Sequence, residues 1–361
     1  MASSLGLPAI GFDINPVMVI VAKARLLPFS ETPSLAPLAL AILEESRRCI
    51  YTTNGDPLLI WFKPKTAATL RSLERACNKI LVGSDDNWNV NSISSLASTF
   101  YTALFKVCRT LVSSLRTANP TWTRLPKDNK ERVGFSAKEI EDQFLSAISL
   151  ICRAAGSEMS RPPQVACRVK LADATTETPA ELVDVVLTSP PYCTRIDYAV
   201  STRVELALIS RLAEVDVGQL RRRMIGTTVV PDAEIDIRNE WGETCRKFLN
   251  DVYRHPSKAS KGYYSSTHKD YFNKISLSLK GLANSLKKGG PAFVIVQDSF
   301  YKDIYNDLPK IVTEMARSQN LALRHRNDFV SSTCMSRVNS RALAHKMRKG
   351  STEAVLCFVK E

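Results

Sequence analysis

A short apolar run, Val183, Val185, Val186 and Leu187, is followed at once by Thr188-Ser189-Pro190-Pro191-Tyr192. The run suits a strand buried on both faces of a parallel sheet. Two successive prolines lack the amide hydrogens that a ladder or a helix interior needs, so the backbone is stiff where the strand stops. In open α/β sheets, ligands sit just beyond the carboxyl ends of strands. A hydroxyl, a pair of prolyl carbonyls and an aromatic ring are therefore placed where a planar base can be received. The plainer alternative is a proline-stiffened strand end with a packed tyrosine.

The 361 residues allow one large α/β domain with an insertion, or two domains, and a hydrophobic content of 44% allows a substantial core. The formal charge of +13 favours a polyanionic partner, nucleic acid first. The nine cysteines are scattered with no Cys-x-x-Cys pair, and histidine occurs four times. Zinc spacing is thus absent, and an odd count argues against a disulfide framework. With no signal-peptide pattern and no apolar run of membrane-spanning length, the expected setting is reducing and cytoplasmic.

In chain order, residues 2–8 read as the last turn of a helix, closed by Gly6 and Pro8. Ala9 to Asp13 reads as a strand ending in an acid, and Asn15-Pro16 opens a helix with Val17, Ile20, Val21 and Ala24 on one face. A carboxylate at a strand end can accept two hydrogen bonds from a ribose diol; equally, Asp13 can cap the helix. Residues 31–164 read as a helical insertion, on the spacing of Phe100, Leu104, Val107, Leu111 and Leu115 and of Ile140, Phe144, Ile148 and Ile151. Trp61, Trp88 and Trp122 lie near Lys63, Lys65, Arg124 and Lys127, and either stack on bases or pack the seams of the helical part. The sheet resumes at 165. Asp173, after the strand around Val169, either accepts from an adenine amino group or forms a turn. Residues 211–270 carry Arg221, Arg222, Arg223 and many Lys, Tyr and Ser, and read as a loop region touching DNA. A helix over Tyr271, Ile275 and Leu279, a strand at Phe293–Val296, a helix over Leu308–Met315 and a strand at Ala354–Val359 finish the chain. Arg324, Arg326, Lys346 and Arg348 belong to a second basic cluster between the last helix and the last strand.

Ser189-Pro190-Pro191-Tyr192, with the continuation Arg195-Ile196-Asp197-Tyr198, resembles the catalytic motif of the S-adenosylmethionine-dependent DNA amino-methyltransferases, in its cytosine-N4 form. Gly11-Phe12-Asp13-Ile14-Asn15-Pro16 resembles the second motif of the same family. The resemblance implies a Rossmann-like class I methyltransferase sheet formed by residues 1–30 and 165–361, interrupted by the insertion. It implies S-adenosyl-L-methionine as cofactor, held by Asp13, Asn15 and Asp173. It makes Ser189, Pro190, Pro191 and Tyr192 the catalytic set, acting on a flipped base of double-stranded DNA. Arg195, Arg221, Arg222, Arg223, Lys346 and Arg348 would meet the nucleic acid, and a restriction or defence partner is compatible.

One departure is plain. The Phe-x-Gly-x-Gly loop that cradles the methionine half of the cofactor in that family does not occur in these 361 residues. Three explanations stay open: the start lies inside a longer reading frame, a separate chain supplies the segment, or cofactor binding is lost and a nucleic-acid-binding protein remains. Adenine N6 and RNA stay open as targets.

Overall fold

The computed structural model describes residues 2–48, 51, 54–83, 89–117, 122–155, 165, 167–193, 197–213, 215–331 and 351–361. In chain order the elements are β1 (Ile10–Asp13), α1 (Pro16–Ala24), α2 (Leu35–Arg48), α3 (Pro64–Leu81), α4 (Ser95–Leu111), α5 (Ala137–Ala155), β2 (Arg168–Leu171) and β3 (Val186–Thr188). They continue with α6 (Tyr198–Ser201), α7 (Arg203–Leu208), α8 (Val217–Arg223), α9 (Gly242–Arg254), α10 (Ser265–Ser285), β4 (Pro291–Gln297), β5 (Ser299–Tyr301), β6 (Ile304–Asn306), α11 (Leu308–Arg317), β7 (Leu321–Ser331) and β8 (Ser351–Lys360). This mixed α/β chain divides into two compact units, residues 1–172 with 199–220, and residues 173–198 with 221–361.

In the first unit β1 and β2 pair in parallel, Ile10 opposite Arg168 and Asp13 opposite Leu171. The chain between them is mainly helical. Asn15 caps α1 by accepting from the Val17 amide at 3.1 Å, and Pro16 takes the first helical position, where its missing N–H is no loss. The apolar spacing of α4 and α5 is realised: Phe100, Leu104, Val107, Leu111, Ile140, Phe144 and Ile148 are all buried. Two polar anchors sit inside this unit. Lys23 on α1 donates to the carbonyls of Val90 (2.9 Å), Asn91 (2.6 Å) and Ile93 (3.1 Å). Arg71 on α3 donates to Asp56 (2.8 Å), Glu74 (2.9 Å) and the carbonyls of Ala207 (3.1 Å) and Leu208 (2.6 Å), tying the end of α7 to the helical part. Trp61 is buried, so it packs rather than offering a face to a base. Trp88 lies outside the described residues.

The second unit holds a sheet in the order β3-β4-β8-β7, parallel between β3 and β4 and antiparallel across β4-β8 and β8-β7. Strand β4 alternates, with Ala292, Val294 and Val296 buried. They join Leu356 and Phe358 of β8 in a core with Phe248 and Leu249 of α9, Phe272 and Ile275 of α10, and Ile311 and Met315 of α11.

Two expectations are corrected here. The run 183–187 is not a strand buried on both faces: only residues 186–188 are strand, and Leu187 is 74% exposed. Among the described residues β3 has β4 as its one ladder neighbour, so it is an edge. The stretch 211–270 is not a loop region, since it contains α8, α9 and the start of α10. Cys245, Phe248, Leu249 and Val252 fall at i, i+3, i+4 and i+7, and that stripe pins α9 to the core.

Candidate functional site

The corner after β3 belongs to the second unit. Its ladder begins before the strand proper: the Val183 amide donates to Ser285 O (2.8 Å), and the Lys287 amide to Val183 O (3.0 Å). This aims the chain past β4 and into the double proline. Ser189 is exposed and Pro190 half-buried. The two prolyl carbonyls then differ. Pro191 O accepts from the Tyr271 phenol at 2.8 Å, and Tyr271 is a buried residue of α10. Pro190 O has no hydrogen-bond partner among the described residues. The corner therefore keeps one prolyl carbonyl without a partner, next in sequence to an exposed serine whose hydroxyl bonds the Tyr192 phenol.

Tyr192 is held from the opposite side. Its phenol donates to the Glu353 carboxylate on β8. Partial burial, aided by the Glu353 hydrogen bond and negative charge, pushes the phenol up to about 12, with the Ser189 hydroxyl pulling the other way. Gly226 closes the turn from the third side at φ +78°, where a Cβ would stand 3.6 Å from Pro191 Cβ and 3.7 Å from Tyr192 O. Space alone would admit that methyl group; the positive φ is what favours glycine.

Asp173 is 6% exposed. Its Oδ1 accepts from the Thr175 amide (2.9 Å) and hydroxyl (2.6 Å), and its Oδ2 faces Arg223 Nε at 3.3 Å. In this geometry it organises its own turn and neutralises an arginine. The other two arginines of α8 are paired as well. Arg221 donates to Asp197 at 2.8 Å, with Thr228 on the same carboxylate, and Arg222 donates to Asp232 at 2.6 Å. Arg195, Lys346 and Arg348 lie outside the described residues.

In the first unit, Asp13 ends β1. Its Oδ1 accepts from the Asn15 amide at 2.8 Å, and its Oδ2 has no partner among the described residues. Burial pushes the Asp13 carboxyl up, and the Asn15 N–H only partly offsets this. The Asn15 side chain is 2% exposed and fully employed, capping α1 and donating to Thr202 Oγ1 at 2.8 Å. Asn15 thus shapes the loop after Asp13 rather than presenting its amide to a ligand. The free oxygen of Asp13 fits a hydroxyl donor such as a ribose diol. Among the described residues, no three His, Cys, Asp or Glu side chains gather as a metal site, and no single helix is long and apolar enough to cross a membrane.

Sequence reasoning missed Tyr271 and Glu353 as parts of the corner. Tyr271 was legible only as one position of a helix face, and Glu353 carries no local signal, reaching Tyr192 across 161 residues of chain.

No protein-family model matches the chain, and no solved structure matches it. Among curated proteins, the Type II methyltransferase M.AvaI of Nostoc sp. (strain PCC 7120) and that of Anabaena variabilis are each 28% identical over 147 residues. The match covers 38% of this chain and 30% of each relative's length, so the similarity to a type II DNA methyltransferase is distant and partial.

Proposed function

We propose that this chain is a DNA amino-methyltransferase, transferring a methyl group from S-adenosyl-L-methionine to cytosine N4. The observation that carries the reading is the asymmetry of the double proline. Tyr271 occupies the Pro191 carbonyl, while the Pro190 carbonyl has no partner among the described residues and the Ser189 hydroxyl, bonded to the Tyr192 phenol, keeps its acceptor lone pairs. Two adjacent acceptors fit an exocyclic NH2 group. The distant similarity to type II methyltransferases supports DNA as the substrate.

The amine lone pair of cytosine is delocalised into the ring, which makes it a poor nucleophile. Accepting both N–H bonds, at Pro190 O and Ser189 Oγ, draws the nitrogen toward tetrahedral geometry and frees the lone pair. The nitrogen becomes acidic only as the new N–C bond forms, so its proton would pass by way of Ser189 Oγ to water, with the thioether S-adenosylhomocysteine as leaving group, and no strong base is needed. Tyr192 stacks on the base, which must first leave the duplex at a cost of a few kcal/mol. Arg222 and the other cations supply phosphate contacts that offset this cost.

S-adenosyl-L-methionine, when bound, supplies a methyl carbon made electrophilic by its sulfonium. Asp13 Oδ2 fits the ribose end of that cofactor. The glycine-rich cradle that the family uses for the methionine end does not occur in these 361 residues, and a Rossmann-like class I sheet would need it as an added strand and loop. The open edge of β3, with Val185 53% and Leu187 74% exposed, supports that addition.

The test is a methyl-transfer assay with labelled cofactor on plasmid DNA, with the chain alone and with a glycine-rich Phe-x-Gly-x-Gly strand-and-loop segment added, fused ahead of residue 1 or in trans. Digestion to nucleosides and mass spectrometry should give N4-methylcytosine only when the segment is present. N6-methyladenine would move the target, as would methylation found on RNA alone. Calorimetry showing no cofactor binding in either mixture, with salt-sensitive DNA retention intact, would leave a non-catalytic binder.

A further inference from the structure

We propose that Glu353 and Tyr271 are positioning residues: Glu353 fixes the plane of the Tyr192 ring, and Tyr271 fixes which prolyl carbonyl of the corner stays open. This deepens the methyltransferase reading and rests on it for the reaction, though the anchoring can be tested without any reaction.

The Tyr192 ring sits half-buried at the end of a turn, where packing alone leaves its orientation loose. Its phenol donates to a carboxylate, a charge-assisted hydrogen bond stronger than one between neutral partners. The root of Glu353 is itself held. Asp298, buried at the end of β4, accepts from the Thr352 amide at 2.8 Å and donates its own amide to Thr352 O at 3.0 Å. The other oxygen of Asp298 accepts from the Tyr305 phenol at 3.2 Å. A rigid β8 therefore holds the carboxylate, and the carboxylate holds the far tip of the ring. On the proposed reading, a planar base stacks on the ring so held. Restricting the ring beforehand lowers the ordering cost when the base arrives. This gives the tyrosine hydroxyl a purpose that a phenylalanine could not serve.

Tyr271 acts on the neighbouring atom pair. Without its 2.8 Å hydrogen bond the Pro191 carbonyl would be an unpaired acceptor in the same turn as Pro190 O. An amine has two hydrogens, so a third acceptor gives it a second, misdirected seating. Occupying Pro191 O leaves one arrangement.

The test uses the full chain with Y192F, E353A, E353Q and Y271F variants. First, the Tyr192 phenol is titrated by NMR of ring-labelled tyrosine, assigned by its loss in Y192F. The wild type should titrate near 12, and E353A and E353Q should titrate lower. An unchanged titration in both overturns the anchor. Second, in the assay containing the glycine-rich segment, E353A and Y192F should each lower kcat about tenfold with KM for DNA within twofold. The double variant should be no slower than either single one, and E353Q, which still accepts from the phenol, should recover most of the loss. Y271F should lower kcat with KM unchanged. Losses of E353A and Y192F that simply multiply, or a Y271F variant with wild-type kcat, would overturn the respective role. If the wild type transfers no methyl group at all, the reaction reading fails and the proposed roles in turnover fail with it. The titration still decides separately whether Glu353 anchors the ring.

Discussion

Arg71 gives the sharpest prediction about what holds the first unit together. Its side chain is 1% exposed and lies between Asp56, 10% exposed, and Glu74, 2% exposed. It also donates to the Ala207 and Leu208 carbonyls, so one guanidinium joins α3, the turn at 56–60 and the end of α7. Replacing it with methionine keeps much of the volume and removes every donor. Asp56 retains the Leu58 amide at 2.9 Å. Glu74 retains the Tyr101 phenol at 3.2 Å and the more distant charge of Arg75, deep in the interior. Removing one partner of a buried ion pair costs about 3–5 kcal/mol, against a typical total of roughly 5–15 kcal/mol. Burial already holds the Glu74 carboxyl above its usual value despite Arg71, and without Arg71 it should rise further. A raised carboxyl binds its proton more tightly in the folded state, so folding is penalised above the unfolded value near 4.5 and relieved below it. The deficit of R71M relative to wild type should therefore shrink as pH falls from 7 toward 5. R71M/E74Q, which removes the stranded charge, should recover at least half of it. Because the chain has two units, one global transition is not assured. Native-state hydrogen exchange read on peptides from α3, α4 and 199–220 gives the local free energy directly. A cost below about 1 kcal/mol at pH 7 for R71M, or no recovery in the double variant, would refute the reasoning.

The other expectations are shorter. Ser189→Ala and Tyr192→Ala should abolish methyl transfer while salt-sensitive DNA retention on filters persists; unchanged methylation in either would remove the proposed roles. Asp13→Asn should weaken cofactor binding by roughly ten- to a hundredfold, the loss of one hydrogen bond to a charged group, measured by calorimetry with the glycine-rich segment present. Asn15→Ala should cost about 1–2 kcal/mol in thermal unfolding, from a lost helix cap and a lost bond to Thr202. Leu187→Asp should leave the melting of the chain alone nearly unchanged, since the side chain is 74% exposed, yet prevent the added segment from restoring cofactor binding. A large stability loss in that variant would mean the edge is already covered.

What was legible in the sequence follows the range of the forces involved. The double-proline corner was readable because proline fixes its own backbone whatever surrounds it. Helices α4 and α5 were readable because their apolar residues recur every turn. Strand β7 was not: Arg324, His325, Arg326, Asn327 and Asp328 give no alternation, and the strand exists because β8 supplies its ladder. Helix α9 was obscured by the charged residues around its four-residue stripe. The run before the corner was readable as apolar, but apolarity states what a strand can bury and not whether the same chain supplies the cover.

The arginines of α8 show the same limit at the site, and the structure ranks them. A count gives three adjacent cations, but Asp197, Asp232 and Asp173 arrive from elsewhere in the chain to meet all three. Asp197 is 2% exposed, so withdrawing Arg221 would strand a buried charge, and Arg221 is committed. Asp173 is buried but also satisfied by Thr175, which leaves Arg223, at a looser 3.3 Å, partly releasable. Arg222 and Asp232 are 48% and 80% exposed, an ion pair worth about 0–1 kcal/mol that a phosphate can replace at almost no cost. Arg222→Ala should therefore reduce the salt slope of DNA binding by close to one phosphate contact, a slope change of about 0.9. Arg221→Ala should unfold or loosen the turn at 197 before it changes that slope. The reverse order, with a slope change in a well-folded Arg221 variant and none for Arg222, would show that burial is the wrong guide to which cations DNA can recruit.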